Sequence, residues 1–150
     1  MISCILAVPC GHLKLTEENG FITACDWTEE APFPAETALL KKAEKELEEY
    51  FKGKRKTFDL PVQPKGTAFE KDVWSVLEKI PYGHLMTYGE IAKEIGRPKA
   101  SRAVGNACGK NPVCVIIPCH RVVGKNNDGG YSNGMKYKYA LWKDEGIERK

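Results

Sequence analysis

Between Asp59 and Gly66 the chain reads Asp-Leu-Pro-Val-Gln-Pro-Lys-Gly, and this is its only linker-like stretch. Pro61 and Pro64 each remove a backbone donor and fix φ, which excludes a helix interior or a central strand here. A chain of 150 residues can hold one ordinary domain or two small ones, and this stretch decides for two. We expect a β-sheet and helix domain over 1–60, a linker over 61–66 and a second domain over 67–150. The charge balance changes at the same place. Residues 1–65 carry nine Lys/Arg against eleven Asp/Glu, and residues 66–150 carry fourteen against nine.

In the first half, Met1 to Val8 is apolar and β-branched, and Pro9-Cys10-Gly11 breaks it. His12 to Glu17 and Phe21 to Trp27 then flank Glu18-Asn19-Gly20, where Asn-Gly signals a tight hairpin. A small antiparallel sheet follows from this. Leu39, Leu40, Ala43, Leu47, Tyr50 and Phe51 recur at helical spacing, with Gly53 as the stop, so one amphipathic helix covers the sheet.

The second half is helical. Thr67-Ala68-Phe69-Glu70 is a capping box opening a helix with Phe69, Val73, Val76, Leu77 and Ile80 on one face, ended by Pro81. Thr87-Tyr88-Gly89-Glu90 repeats the pattern and opens a short helix closed by Gly96. Arg97-Pro98-Lys99 turns the chain into a further helix, Ala100 to Gly109, giving a helix-turn-helix pattern. That second helix is lined by small residues, and Arg102 and Asn106 share one of its faces. Gly124 to Gly134 reads as a flexible loop able to fold over a ligand, and a last helix runs from Met135 to Glu145 before Gly146. The fold class is α+β, an antiparallel sheet with a helix followed by a helical domain.

Chemistry concentrates in Val115 to Val123, an apolar run interrupted by Pro118-Cys119-His120-Arg121. The proline turns the backbone just before the thiol. A cysteine next to an imidazole and a guanidinium is suited to act as a nucleophile, because only the thiolate reacts and neighbouring cations favour it. A buried, inert cysteine is the competing reading on burial preference alone. Spacings of six, five and one between Cys108, Cys114, Cys119 and His120 do not match a zinc knuckle.

Between Glu94 and Asp128 there is no acidic residue, while Arg97, Lys99, Arg102, Lys110, Arg121 and Lys125 supply six cations. That is a footprint for a phosphate backbone. No apolar run approaches the roughly 20 residues of a membrane helix, and Met1-Ile2-Ser3-Cys4 lacks a basic leader, so a cytoplasmic or nucleoid location is expected, without a membrane partner. In that compartment six cysteines are expected as thiols, with Cys4, Cys10 and Cys25 open to pairing in a hyperthermophile.

Taken together, Thr87-Tyr88-Gly89, Arg102-Ala103-Val104-Gly105, Asn111-Pro112, Ile117-Pro118-Cys119-His120-Arg121-Val122-Val123, Tyr131-Ser132 and Glu145-Gly146 closely resemble the O6-alkylguanine-DNA alkyltransferases. The blocks fall in that family's order and spacing across most of the second half. The resemblance implies a ribonuclease-H-like first domain and a winged-helix-like DNA-binding second domain. It implies direct repair of double-stranded DNA by a monomer that carries Cys119 as the acceptor of an alkyl group from O6 of guanine, with O4-alkylthymine as a further substrate. Each molecule would act once, as a suicide enzyme, and would need no cofactor and no metal.

The resemblance also implies roles. His120, through a water, would take the thiol proton, with Glu145 orienting it; Asn111 would brace the active-site backbone. Tyr88 would donate towards N3 of the leaving guanine and the amide of Ser132 towards O6, within a base pocket of Tyr88, Val122, Tyr131, Ser132 and Met135. Carbonyls at Cys119 and Val122 would accept from the exocyclic amine. Arg102 would fill the stack left by the flipped base, and Ser101, Asn106, Arg121 and Thr87 would join it on the DNA. Some relatives hold zinc in the first domain, but Cys4, Cys10, Cys25 and His12 are a poor set for it, and no metal is expected. Cys108 and Cys114 are expected as bystanders, since neither has an adjacent imidazole, with a role as alternative alkyl acceptors the competing reading. Two rival readings are open to this sequence: a protein that recognises alkylated bases without repairing them, which would lack the acceptor cysteine, and a cysteine hydrolase or thiol redox protein, which would leave Arg102 unexplained.

Overall fold

Asn19 and Gly20 take φ values of 52° and 82°, the paired positive angles of a two-residue hairpin turn whose twist matches its strands. They join β2 (Gly11–Glu18) to β3 (Phe21–Thr28), and β1 (Ile2–Val8) precedes them, giving an antiparallel sheet in the order β1-β2-β3. The computed structural model describes residues 1–149, so the last residue of the expected 67–150 domain lies outside the described residues.

The chain divides into two units, the first made of Met1–Lys65 and Pro112–Ile116, the second of Gly66–Asn111 and Ile117–Lys150. In the first unit, Leu13 and Leu15 of β2, with Cys4, Ile22 and Cys25 beside them, are buried on the face covered by α1 (Ala38–Phe51). Thr37 caps that helix by accepting from Leu40 N–H, and Leu40, Ala43, Leu47 and Tyr50 form its buried stripe. Within the stretch 61–66, expected as a linker, residues 61–63 instead pair with β3: Ile22 N–H donates to Pro61 O and Gln63 N–H to Ile22 O. Further along the same strand, Cys25 N–H donates to Pro112 O and Cys114 N–H to Cys25 O. These two short pairings cover a strand edge that would otherwise be open. Cys4 and Cys25 both pair with Leu15 from opposite sides, which sets them about 9–10 Å apart across β2, too far for a disulfide.

Val115, in the segment that joins the first unit, takes φ 70°, and Ile116 N–H closes a three-residue turn on Cys114 O at 2.8 Å. A β-branched residue in the left-handed region stores about 1–3 kcal/mol of strain.

The second unit contains α2 (Ala68–Leu77), β4 (Met86–Thr87), α3 (Tyr88–Glu94), α4 (Ser101–Gly109), β5 (Val122–Val123) and α5 (Met135–Glu145). Both expected capping boxes form: Thr67 and Glu70 open α2, and Thr87 and Glu90 open α3. α3 and α4 pack together around a turn that contains Gly96 at φ 75°, and α2 packs on α4. Trp74 locks that last contact by donating Nε1–H to Ala107 O at 2.8 Å inside the core. Its indole ring fills the space a Gly66 side chain would need. β4 and β5 form a short parallel ladder, and α5 ends with Gly146 at φ 71° while Ile147 N–H returns to Trp142 O, a Schellman motif. Among the described residues, no helix is long and apolar enough to cross a membrane.

Candidate active site

Pro118 has φ −81° and ψ 67°, and Cys119 N–H donates to Ile117 O at 2.8 Å, an inverse γ-turn immediately before the thiol. Asn111, itself buried, donates Nδ2–H to the same Ile117 carbonyl at 2.8 Å and so fixes the entry to the turn. One turn of 3-10 helix, Cys119–Arg121, follows. The result is a thiol set at a defined point in the interior, with Cys119 7 % exposed.

His120 is fully buried, and its ring Nε2 lies 2.6 Å from Glu145 Oε2. Glu145 comes from the last turn of α5 and also accepts from Arg121 Nε at 2.8 Å, Arg121 Nη2 at 3.0 Å and Gly83 N–H at 3.0 Å. A carboxylate gripped by a forked guanidinium is an acceptor at both oxygens, so Nε2 must carry the imidazole proton. Nδ1 is then left with a lone pair, and among the described residues it is a buried side-chain polar atom with no hydrogen-bond partner. Burial pushes the His120 pKa down, and the hydrogen bond to Glu145 opposes the shift in part, so the ring is neutral near pH 7. A neutral imidazole with an uncommitted lone pair is a general base. Trp142 Nε1 holds the His120 carbonyl at 2.7 Å, which fixes the ring's backbone.

Arg121, expected on the DNA, is corrected by this geometry. It is 5 % exposed, with Nη1 on Ile80 O at 2.7 Å and the rest of the fork on Glu145. Its charge is used inside the protein to hold the relay carboxylate. Thr87 is likewise engaged as the cap of α3, accepting from Glu90 N–H at 3.1 Å. Arg102 and Asn106 are exposed on α4, and Ser101 at its start is half-buried.

Tyr88, half-buried at the start of α3, lies against the open face of α4 at Gly105, where an added Cβ would come to 3.7 Å from its ring. Its hydroxyl accepts from Gly130 N–H at 3.2 Å, which leaves the phenolic proton available to another acceptor. Burial raises the Tyr88 pKa, with the Gly130 N–H partly offsetting it. Among the other expected pocket residues, Val122 is buried, Tyr131 and Met135 are half-buried, and Ser132 is exposed with its hydroxyl on Gly109 O. The Val122 carbonyl, expected to accept from a base, already accepts a hydrogen bond from Lys138 Nζ at 2.7 Å and keeps a second lone pair.

Lys138 is a residue that sequence reasoning missed. It is fully buried on α5, and its ammonium reaches Val122 O, Asp128 O at 2.6 Å and Gly130 O at 3.0 Å. A signal was present: Lys138, Leu141, Trp142 and Glu145 form one stripe at i, i+3, i+4 and i+7, a buried face with a charge at each end. The loop read as flexible is therefore pinned. Cys108 is buried on α4, and burial together with the nearby Cys119 sulfur pushes its thiol up to about 12, which makes it a poor nucleophile. The structure holds all six cysteines as thiols, and among the described residues no group of three or more His, Cys, Asp or Glu could hold a metal ion.

The pattern described as "6-O-methylguanine DNA methyltransferase, DNA binding domain" matches residues 68–147, and that described as its "ribonuclease-like domain" matches residues 2–64. A methylated-DNA-protein-cysteine methyltransferase of Methanosarcina acetivorans is 50% identical over 121 residues, covering 80% of this chain and 74% of the relative. The constitutive enzyme of that name from Bacillus subtilis is 45% identical over 129 residues, covering 79% and 78%. The crystal structure of Mycobacterium tuberculosis OGT in complex with DNA superposes with a TM-score of 0.87 at 36% identity, covering 96% of this chain and 92% of that one.

Proposed function

The chain belongs to the 6-O-methylguanine DNA methyltransferase family, and we propose that Cys119 is the residue on which its activity is spent. The protein is a methylated-DNA-protein-cysteine S-methyltransferase: it binds DNA and repairs O6-alkylguanine by direct transfer of the alkyl group to a cysteine of its own. The observation that carries the assignment to Cys119 is the bare Nδ1 of His120, backed through Nε2 by Glu145 and Arg121, on the residue next to the thiol.

In the mechanism we draw, a water hands the Cys119 proton to His120 Nδ1. The thiolate attacks the alkyl carbon, the sulfur–carbon bond forms as the carbon–O6 bond breaks, and the electron pair leaves with guanine. Tyr88 O–H and the Ser132 amide stabilise charge developing on the departing base, which is the largest single aid such a site can give. Guanine recovers one proton for the one the thiol gave up, so the balance closes without a cofactor. The product thioether has no leaving group to reverse it, and each molecule reacts once.

Reaching O6 inside a stacked duplex requires the base to leave the helix, at a cost of about a few kcal/mol. Exposed Arg102 on the small-residue helix α4 is the side chain we assign to the vacated stack, with Ser101 and Asn106 beside it. We place this work in the cytoplasm, on DNA, by a monomer.

The deciding experiment incubates the protein with duplex DNA carrying one O6-methylguanine and follows the mass of the peptide spanning Cys119. One methyl gained there, stopping at one equivalent, is expected. Binding with no gain in mass would instead make this a lesion-recognition protein, and a methyl on Cys108 or Cys114 would move the acceptor.

A further inference from the structure

Six backbone carbonyls between Val122 and Gly130 accept from two cationic side chains. Lys138 takes those of Val122, Asp128 and Gly130. Arg149 takes those of Asn127 at 2.5 Å, Gly124 at 2.7 Å and Lys125 at 3.0 Å. Nothing in the mechanism above uses Arg149.

The way Arg149 arrives is specified by the chain end. The Schellman turn at Gly146 reverses the backbone after α5 and seats Ile147, 8 % exposed, against Val123 and Trp142. Two residues later the guanidinium fork meets the loop. Asp128 is held from the other side by Tyr139 O–H at 2.8 Å and lies 3.9 Å from Arg149 Nη1. A loop with several glycines and asparagines loses much backbone entropy when ordered, and these charge-assisted hydrogen bonds offset that cost.

What the ordered loop does is hold Tyr88. Gly130 N–H donates to the phenolic oxygen, and Gly129, at φ 70°, runs so close that an added Cβ would overlap the hydroxyl and sit 3.2 Å from Lys138 Nζ. A hydroxyl that accepts from an amide is fixed in direction, and its own O–H is polarised towards the next acceptor.

We propose that Arg149 is a positioning residue for alkyl transfer, clamping loop 124–130 so that Gly130 N–H aims the Tyr88 hydroxyl at the departing guanine. This rests on the reading of Tyr88 as the donor to the leaving base. Arg149 acts through backbone carbonyls, so its effect reaches the reaction only by way of the loop and Tyr88.

The test is a double-mutant cycle on the full chain, measuring the single-turnover rate of methyl uptake from a duplex carrying O6-methylguanine. Arg149→Ala is expected to slow the reaction about tenfold, below the roughly 10²-fold that a misplacement of about 1 Å can cost. Arg149→Lys keeps the charge but offers one nitrogen for three carbonyls, and should recover part of the loss. Tyr88→Phe is expected to slow the reaction by itself, and Arg149→Ala added to it should then cost less than about twofold, because the two changes remove one function. Equal losses from Arg149→Ala in both backgrounds would mean a general structural role and would overturn the proposal. So would a wild-type rate for either single variant. Arg149→Gln, which keeps an amide donor, serves the same cycle if the alanine variant does not fold. Tyr88→Phe alone scores the parent reading separately: a wild-type rate there means Tyr88 is not the donor, whereas a slowed Tyr88→Phe with equal Arg149→Ala losses in both backgrounds overturns the clamp alone.

Discussion

His120 Nε2 and Glu145 Oε2 are 2.6 Å apart, and that single bond decides which imidazole nitrogen can act as a base. Exchanging the carboxylate for an amide reverses the choice. Glu145→Gln can present its NH2 to Nε2, which moves the ring proton to Nδ1 and removes the lone pair from the nitrogen that receives the thiol proton. We expect methyl transfer to slow by about 10²–10⁴-fold, by analogy with the loss seen when a triad carboxylate becomes an amide. Single-turnover kinetics on folded protein checks this, and a loss under tenfold would sink the tautomer argument.

The sequence alone places Arg121 and Arg102 alike on the DNA, and the structure separates them. Arg121 is buried on Glu145, whereas Arg102 is exposed on α4. Removing a phosphate contact lowers the slope of log affinity against log salt by about 1, and removing a buried cation does not. Binding isotherms over a salt series on undamaged duplex should therefore show an unchanged slope for Arg121→Met. That variant should instead lose about 3–5 kcal/mol of stability, because Glu145 stays buried without its partner. For Arg102→Ala the expectation is preserved stability and impaired repair in duplex DNA, with near-normal reaction towards a free O6-substituted guanine; equal impairment on both substrates would remove Arg102 from base flipping.

Much of this fold was legible because local chemistry dictated it. Thr67 with Glu70 and Thr87 with Glu90 each satisfy the first amides of a helix, and Asn19-Gly20 can adopt the positive φ pair a tight hairpin needs. The turn at Pro118 was legible for the same reason. What escaped was decided by long-range partners. Residues 61–63 look like part of a linker in isolation, and only the open edge of β3 makes them a strand partner. The cations of Arg121, Lys138 and Arg149 look like surface charge until α5 and the chain end bring them to Glu145 and to the carbonyls of the loop. Hydrophobic periodicity carries no information about a buried cation's partner, so the loop that seemed free by composition is held by six cation-to-carbonyl hydrogen bonds.

Gly129 offers a direct probe of that loop. Its φ of 70° and its closeness to the Tyr88 hydroxyl leave no place for a methyl group. Gly129→Ala should destabilise the protein by about 1–2 kcal/mol, combining left-handed strain with the displacement of Tyr88. Tyr88→Phe should return part of that loss by removing the atom in the way, while leaving the φ penalty in place. Urea denaturation of the two single variants and the double variant measures both parts, and strictly additive losses would show that the hydroxyl is not the obstacle.

Lys138 sets a pH dependence whose sign can be worked out. Burial pushes its pKa from the ordinary 10.5 down to about 8, against the opposing pull of Cys119, Cys108 and Asp128, while Arg149 adds to the lowering. Between these two values the unfolded chain holds the proton that the folded chain has released. The unfolded state then binds more protons, so the stability contributed by this group is smallest below pH 8 and rises with pH, by up to about 1.4 kcal/mol per unit. Lys138→Met lacks the titration and leaves three carbonyls without their donor, which should cost about 1–3 kcal/mol at neutral pH. Unfolding free energies from urea titrations at pH 7.5, 8.5 and 9.5, compared between wild type and variant, should therefore diverge in favour of the wild type as the pH rises. Parallel curves would mean that the three carbonyls keep the ammonium charged through the whole range, and the loop would then stay clamped by a full cation at every pH the protein survives.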